Sequence, residues 1–100
     1  MGFEQIKTQY LELGEHKFYN KIILLALERV VSISENSYKG TYPHIEYLSF
    51  YDKLYILYKQ EGDEVWLNMA KLFRKASNKI YRTLLKKKLI EKNNKFFNII

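Results

Sequence analysis

The sequence predicts a mainly α-helical protein of a single domain, residues 1–100, that closes on a short C-terminal β-hairpin. Three observations carry this. Apolar residues recur at steps of three and four through most of the chain up to Leu84, the period of an amphipathic helix. Two short apolar-rich runs, Leu89-Ile90 and Phe96-Phe97-Asn98-Ile99-Ile100, flank Asn93-Asn94. Asn tolerates positive φ, so this pair suits a tight hairpin turn. Finally, residues 71–100 hold ten Lys and Arg against the single acid Glu91, while residues 1–70 hold seven bases and ten acids. Such a split predicts that one end meets a polyanion.

The first helix is expected over 3–13, with Phe3, Ile6, Tyr10 and Leu13 on one face and Gly14 as its stop. The second runs over 15–34. Phe18, Ile22, Leu25, Ala26, Arg29, Val30 and Ile33 form its stripe, and Ile23, Leu24, Leu27 and Val31 widen it. That width exceeds what a lone surface helix needs. Together with Phe3, Ile6 and Tyr10, the excess over Ile23, Leu24 and Leu27 predicts a homodimer through the N-terminal helix pair, 1–34. Residues 34–43, SENSYKGTYP, gather Ser, Asn, Gly and the only Pro into one loop.

A third helix over 44–61 is rich in aromatics. Tyr47, Tyr51, Tyr55 and Tyr58 fall on one stripe. Such a stripe can stack single-stranded bases. Core or interface packing explains it better, because the local charge is not basic and Tyr buries a large ring. Gly62 ends this helix and Asp63 caps the next. Asp63 and Glu64 in its first turn suit the helix dipole.

Ala70, Phe73, Ile80 and Leu84, followed by Leu89-Ile90-Glu91-Lys92 and the Asn93-Asn94 turn, resemble the end of a winged helix-turn-helix domain. The resemblance covers residues 44–100. It implies a break at Arg74-Lys75-Ala76-Ser77, a recognition helix capped by Ser77, and a basic wing with Ile90 opposite Phe97. It further implies a small regulator of transcription that binds double-stranded DNA. Asn78 and Arg82 would then face base edges, since Asn suits adenine and Arg suits guanine. Lys75, Lys79, Lys86 and Lys87 would hold phosphates. Lys92, Asn93, Asn94 and Lys95 would form the wing tip. The sequence departs from the family where a turn glycine is usual, and again at Lys88, where a glycine usually precedes the first wing strand.

The alternative fold is an all-α four-helix bundle, with the last helix unbroken from Asp63 to about Lys88. Met69, Leu72, Phe73, Ala76, Ile80 and Leu84 keep one helical phase across the proposed break. Its function would be docking the basic C-terminal helix on an acidic protein partner. A basic face is often merely solvated, but such a face normally mixes signs in Glu–Lys pairs. No acid lies between Lys71 and Lys88.

No catalytic constellation appears. There is no Cys, and His16 and His44 stand alone, without a metal-ligand spacing, and are expected at the surface. Neither a glycine-rich phosphate loop nor a nucleophile elbow is present. No enzymatic activity, cofactor, metal or small-molecule site is expected. The N-terminal Met1-Gly2-Phe3-Glu4 lacks the basic-then-apolar pattern of a leader, and the longest apolar run, 22–27, is too short to span a bilayer. A cytoplasmic setting without membrane contact is therefore expected.

Overall fold

A computed structural model describes residues 2–91, which form four helices and no strand. These are α1 (Phe3–Leu13), α2 (Glu15–Ser34), α3 (Pro43–Glu61) and α4 (Glu64–Lys86). The first three helices fall where the periodicity puts them, and among the described residues the all-α arrangement is the one adopted.

The winged helix-turn-helix expectation is overturned. α4 passes unbroken through Arg74, Lys75, Ala76 and Ser77. The physical reason lies in its own pattern. Met69, Phe73, Ala76, Ile80 and Leu84 are all buried along one continuous face, and no Gly or Pro interrupts the backbone there. Ser77 is no cap: it is wholly buried in mid-helix, and its Oγ donates to the His44 carbonyl at 2.7 Å. Leu89 and Ile90, expected to begin the first wing strand, pack against the core in a turn. Lys92, Asn93, Asn94 and Lys95, and Phe97 opposite Ile90, lie outside the described residues.

α3 and α4 form an antiparallel hairpin. Gly62 takes the left-handed conformation that ends α3, with φ 74°. Asp63 caps α4 by accepting from the Val65 amide at 3.0 Å. Along the pair, Trp66 Nε1 donates to Glu61 near the turn, Arg74 lies over the Tyr51 ring in the middle, and Ser77 meets His44 at the far end. α2 crosses this hairpin. Phe18 and Phe73 meet edge to face at 5.9 Å, and the Tyr47 hydroxyl donates to the Ile22 carbonyl at 2.6 Å. Arg29 fastens the loop between α2 and α3. It pairs with Glu46 at 2.7 Å and donates to the Tyr38 hydroxyl and the Thr41 carbonyl.

α1 is an outer layer with no fully buried residue. Phe3, Ile6 and Tyr10 turn inward, with Phe3 against Phe50 at 5.6 Å. Between α1, α2 and α3 lies an apolar groove of about 490 Å³ whose floor includes Phe18, Tyr47 and Phe73. The turn into α2 depends on Gly14, at φ 84° and ψ 166°, a region open essentially to glycine alone. The excess apolar surface expected to drive dimerisation is largely consumed internally. Ile23 is buried, and Phe3, Ile6, Tyr10 and Leu27 pack on the core. Of the six residues, only Leu24 is exposed.

α4 ends in a Schellman motif. The Leu89 amide donates to the Leu84 carbonyl at 2.9 Å, and the Lys88 amide donates to Leu85 at 3.0 Å. Lys88 sits at φ 58°, where a side chain is strained and glycine is not. The chain therefore does turn near Lys88, where the sequence departs from the usual glycine. This turn removes Leu89 from the polar face of α4. Lys88→Gly should stabilise the fold by about 0.5–1 kcal/mol. A thermal melt checks this: the midpoint should rise by a few degrees. A fall would mean that Lys88 does not hold the left-handed conformation.

Candidate nucleic-acid interface

The solvent face of α4 is a cationic stripe. Lys71, Lys75, Lys79, Arg82 and Lys86 are all exposed. At 100° per residue, their steps of four, four, three and four confine them to an arc of about 80°. The arc points away from the buried face that holds Phe73 and Ile80. From Lys71 to Lys86 it runs about 22 Å along the helix axis. No carboxylate of α4 lies between Lys71 and Lys86, and Glu15 of α2 shares a depression with Lys71 and Lys75 at the start of the stripe. The two ion pairs among the described residues, Lys7–Asp63 and Arg29–Glu46, lie elsewhere.

α2 turns the stripe into one wall of a groove. Tyr19 faces Lys75, Lys79, Arg82, Thr83 and Lys86 across a depression of about 540 Å³. Lys75 Nζ lies 4.8 Å from the centre of the Tyr19 ring. Burial pushes the Tyr19 phenol above its ordinary range, and the nearby Arg82 charge works the other way. The Thr83 hydroxyl donates back to the Lys79 carbonyl, one helical turn earlier. Four cations, an aromatic wall and no acid make a surface suited to phosphate oxygens.

The sequence-derived site residues divide into three groups. Lys75, Lys79, Arg82 and Lys86 come together on the stripe. Asn78 is half-buried on its flank, Ser77 is inside the core, and Lys87 caps the helix just beyond the stripe. Lys92, Asn93, Asn94 and Lys95 lie outside the described residues. Two contributors were not among the expected site residues. Lys71 could have been found by extending the same spacing back one turn. Tyr19 could not, since only the crossing of α2 over α4 brings it there.

The two histidines part company. His16 is exposed, as expected. The surface expectation for His44 is wrong: it is 3% exposed. It follows Pro43 at the start of α3, and its ring stacks on Tyr81 at 5.9 Å. Loss of hydration lowers its pKa to about 4. In the tyrosine series, Tyr47 is buried, while Tyr51, Tyr55 and Tyr58 line the edge of α3. Among the described residues, no group of three or more His, Asp or Glu can hold a metal ion, and no helix is long and apolar enough to cross a membrane.

The chain matches no protein-family model, no curated protein and no solved structure.

Proposed function

We propose that this protein binds duplex DNA by laying the cationic stripe of α4 along the phosphate backbone. The observation that carries the reading is the clustering of Lys71, Lys75, Lys79, Arg82 and Lys86 on one exposed arc of α4 that holds no acid of its own. Scattered solubilising charges alternate in sign; this arc does not. Its affinity comes from displaced counterions, so it depends on salt and little on base sequence. A role in regulating transcription would require sequence preference as well. Arg82, in the middle of the stripe, is the residue whose loss would reveal it.

Fluorescence anisotropy of a labelled duplex, titrated at several salt concentrations, tests the reading. Five neutralised phosphates give a slope of log K against log salt of about −4 to −5, or a loss of roughly 10²–10³-fold between 50 and 200 mM salt. Lys79→Ala and Lys86→Ala should each lower the slope by about one unit, on every duplex alike. Arg82→Ala should do the same, and should also blur any preference among sequences by about 1–3 kcal/mol at one position. Absence of duplex binding at low salt would overturn the reading and move the function to an acidic protein partner.

A further inference from the structure

The outer face of α2 carries two exposed apolar side chains, Leu24 and Val31, on either side of the half-buried Leu27. Leu24 is 61% exposed and Val31 57%, and neither joins the core. Lys17, Asn20, Leu24, Leu27, Val31 and Ser34 follow one another at alternating steps of three and four. This is the spacing of a two-helix seam. Leu24 lies about 160° around the helix from the buried Ala26, so the seam and the core occupy opposite sides.

The charges beside the seam are segregated. Lys17 and Lys21 occupy the first half of α2, Glu28 lies in its second half, and Glu35 stands just past its end. All four are exposed. Neither ion pair of the described residues uses them, and Lys21 donates only to the neutral Gln9 amide oxygen, at 3.1 Å. A face that is basic at one end and acidic at the other fits no partner of uniform charge. It does fit itself, reversed.

We infer that α2 pairs antiparallel with α2 of a second copy of this chain, about a two-fold axis passing between Leu24 and Leu27. Leu24 of each copy lies over Leu27 of the other. Lys21 comes opposite Glu28 of the second copy, and Lys17 opposite Glu35. Each contact occurs twice, as two-fold symmetry requires. A parallel pairing would set the basic half on the basic half and the acidic half on the acidic half, so the charges also select the direction. Tyr19 lies about 140° around α2 from Leu24, which leaves both basic grooves open. The pairing therefore stands independently of the nucleic-acid reading.

Sedimentation equilibrium of the full chain tests this, with circular dichroism to confirm that each variant keeps its helix content. The parent should sediment at twice the 12.1 kDa of one chain. Leu24→Glu should sediment as a single chain, because it places carboxylates in the apolar seam. Lys21→Glu and Glu28→Lys should each dissociate the dimer by setting like charges opposite each other. The double variant Lys21→Glu/Glu28→Lys should restore it, since both partners then exchange signs together. A parent that stays monomeric up to roughly 100 µM would overturn the inference. So would single reversals that leave the dimer intact, or a double variant that remains monomeric.

Discussion

Phe73→Ala should lower the free energy of unfolding by about 4 kcal/mol. Phe73 is 2% exposed and is the hub of the aromatic core. Its ring meets Phe18 at 5.9 Å, Tyr47 at 5.1 Å and Phe50 at 5.3 Å, each time edge to face. Removing a buried phenyl group costs about 3–5 kcal/mol through lost transfer energy and the cavity left behind. Each edge-to-face pair adds about 0.5–1.5 kcal/mol beyond burial. One factor works the other way. Phe73 borders the groove under α1, so the space it vacates is not sealed, and neighbours can relax into it. That relief holds the cost near 4 kcal/mol, a large share of the 5–15 kcal/mol typical of a domain. Phe73→Leu should cost less, because it keeps most of the volume. Urea denaturation gives both values. A cost under about 1 kcal/mol for the alanine variant would mean that the three rings do not converge on Phe73.

The second large effect is a loss of stability in mild acid, centred on His44. Its folded pKa is about 4, held down by burial; an unfolded histidine titrates near 6.5. Above about pH 6.5 both states hold the neutral ring, and the group leaves stability unchanged. As the pH falls below that value, the unfolded chain takes up a proton that the folded chain refuses. Stability is therefore lost as pH drops, at up to about 1.4 kcal/mol per unit, until the folded ring itself protonates near pH 4. Over the window from about 6.5 to 4, the loss reaches roughly 3 kcal/mol. Asp63 also contributes to acid sensitivity, because its hydrogen bond from Lys7 lowers its pKa. The comparison that isolates His44 is therefore the slope of the parent minus that of His44→Gln. This difference should be steep between pH 6.5 and 4.5 and flat above 7. Parallel curves would mean that His44 is hydrated in the folded state.

Helix positions were legible in the sequence because each helix obeys local rules. Gly14, the 34–43 loop and Gly62-Asp63 set the boundaries, and apolar periodicity set the inward faces. The error came where two signals conflicted. A continuous helix running on past Lys88 would set Leu85 and Leu89 on its polar face beside Arg82, and a break with a wing removes that difficulty for Leu89 though not for Leu85. The chain resolves it more simply. α4 continues to Lys86, Leu85 sits half-buried beside it, and the left-handed turn at Lys88 carries Leu89 back to the core. The cationic stripe was legible for the same reason as the helices, since it is periodic. Tyr19 and His44 were not, because their surroundings come from elements distant in sequence. α2 brings Tyr19 to α4, and the α3–α4 hairpin stacks His44 on Tyr81.

The lack of any fully buried residue in α1 has a dynamic consequence. A helix held by one inward row of half-buried side chains, and by the contacts of Lys7 with Asp63 and the Trp66 ring, can undock without melting the hairpin beneath it. Its opening free energy must then fall below that of global unfolding. Deuterium should enter the amides of α1 well before those of residues 69–80, with Gly14 marking the boundary between the fast and slow exchanging segments. A protease that cuts between folded units should cleave first at that boundary. Equal protection across α1 and α4 would mean that all four helices open only as one cooperative unit. In the expected case, the apolar groove is a compartment with a door, and the rings of Phe18 and Phe73 meet water intermittently while the rest of the fold stays closed.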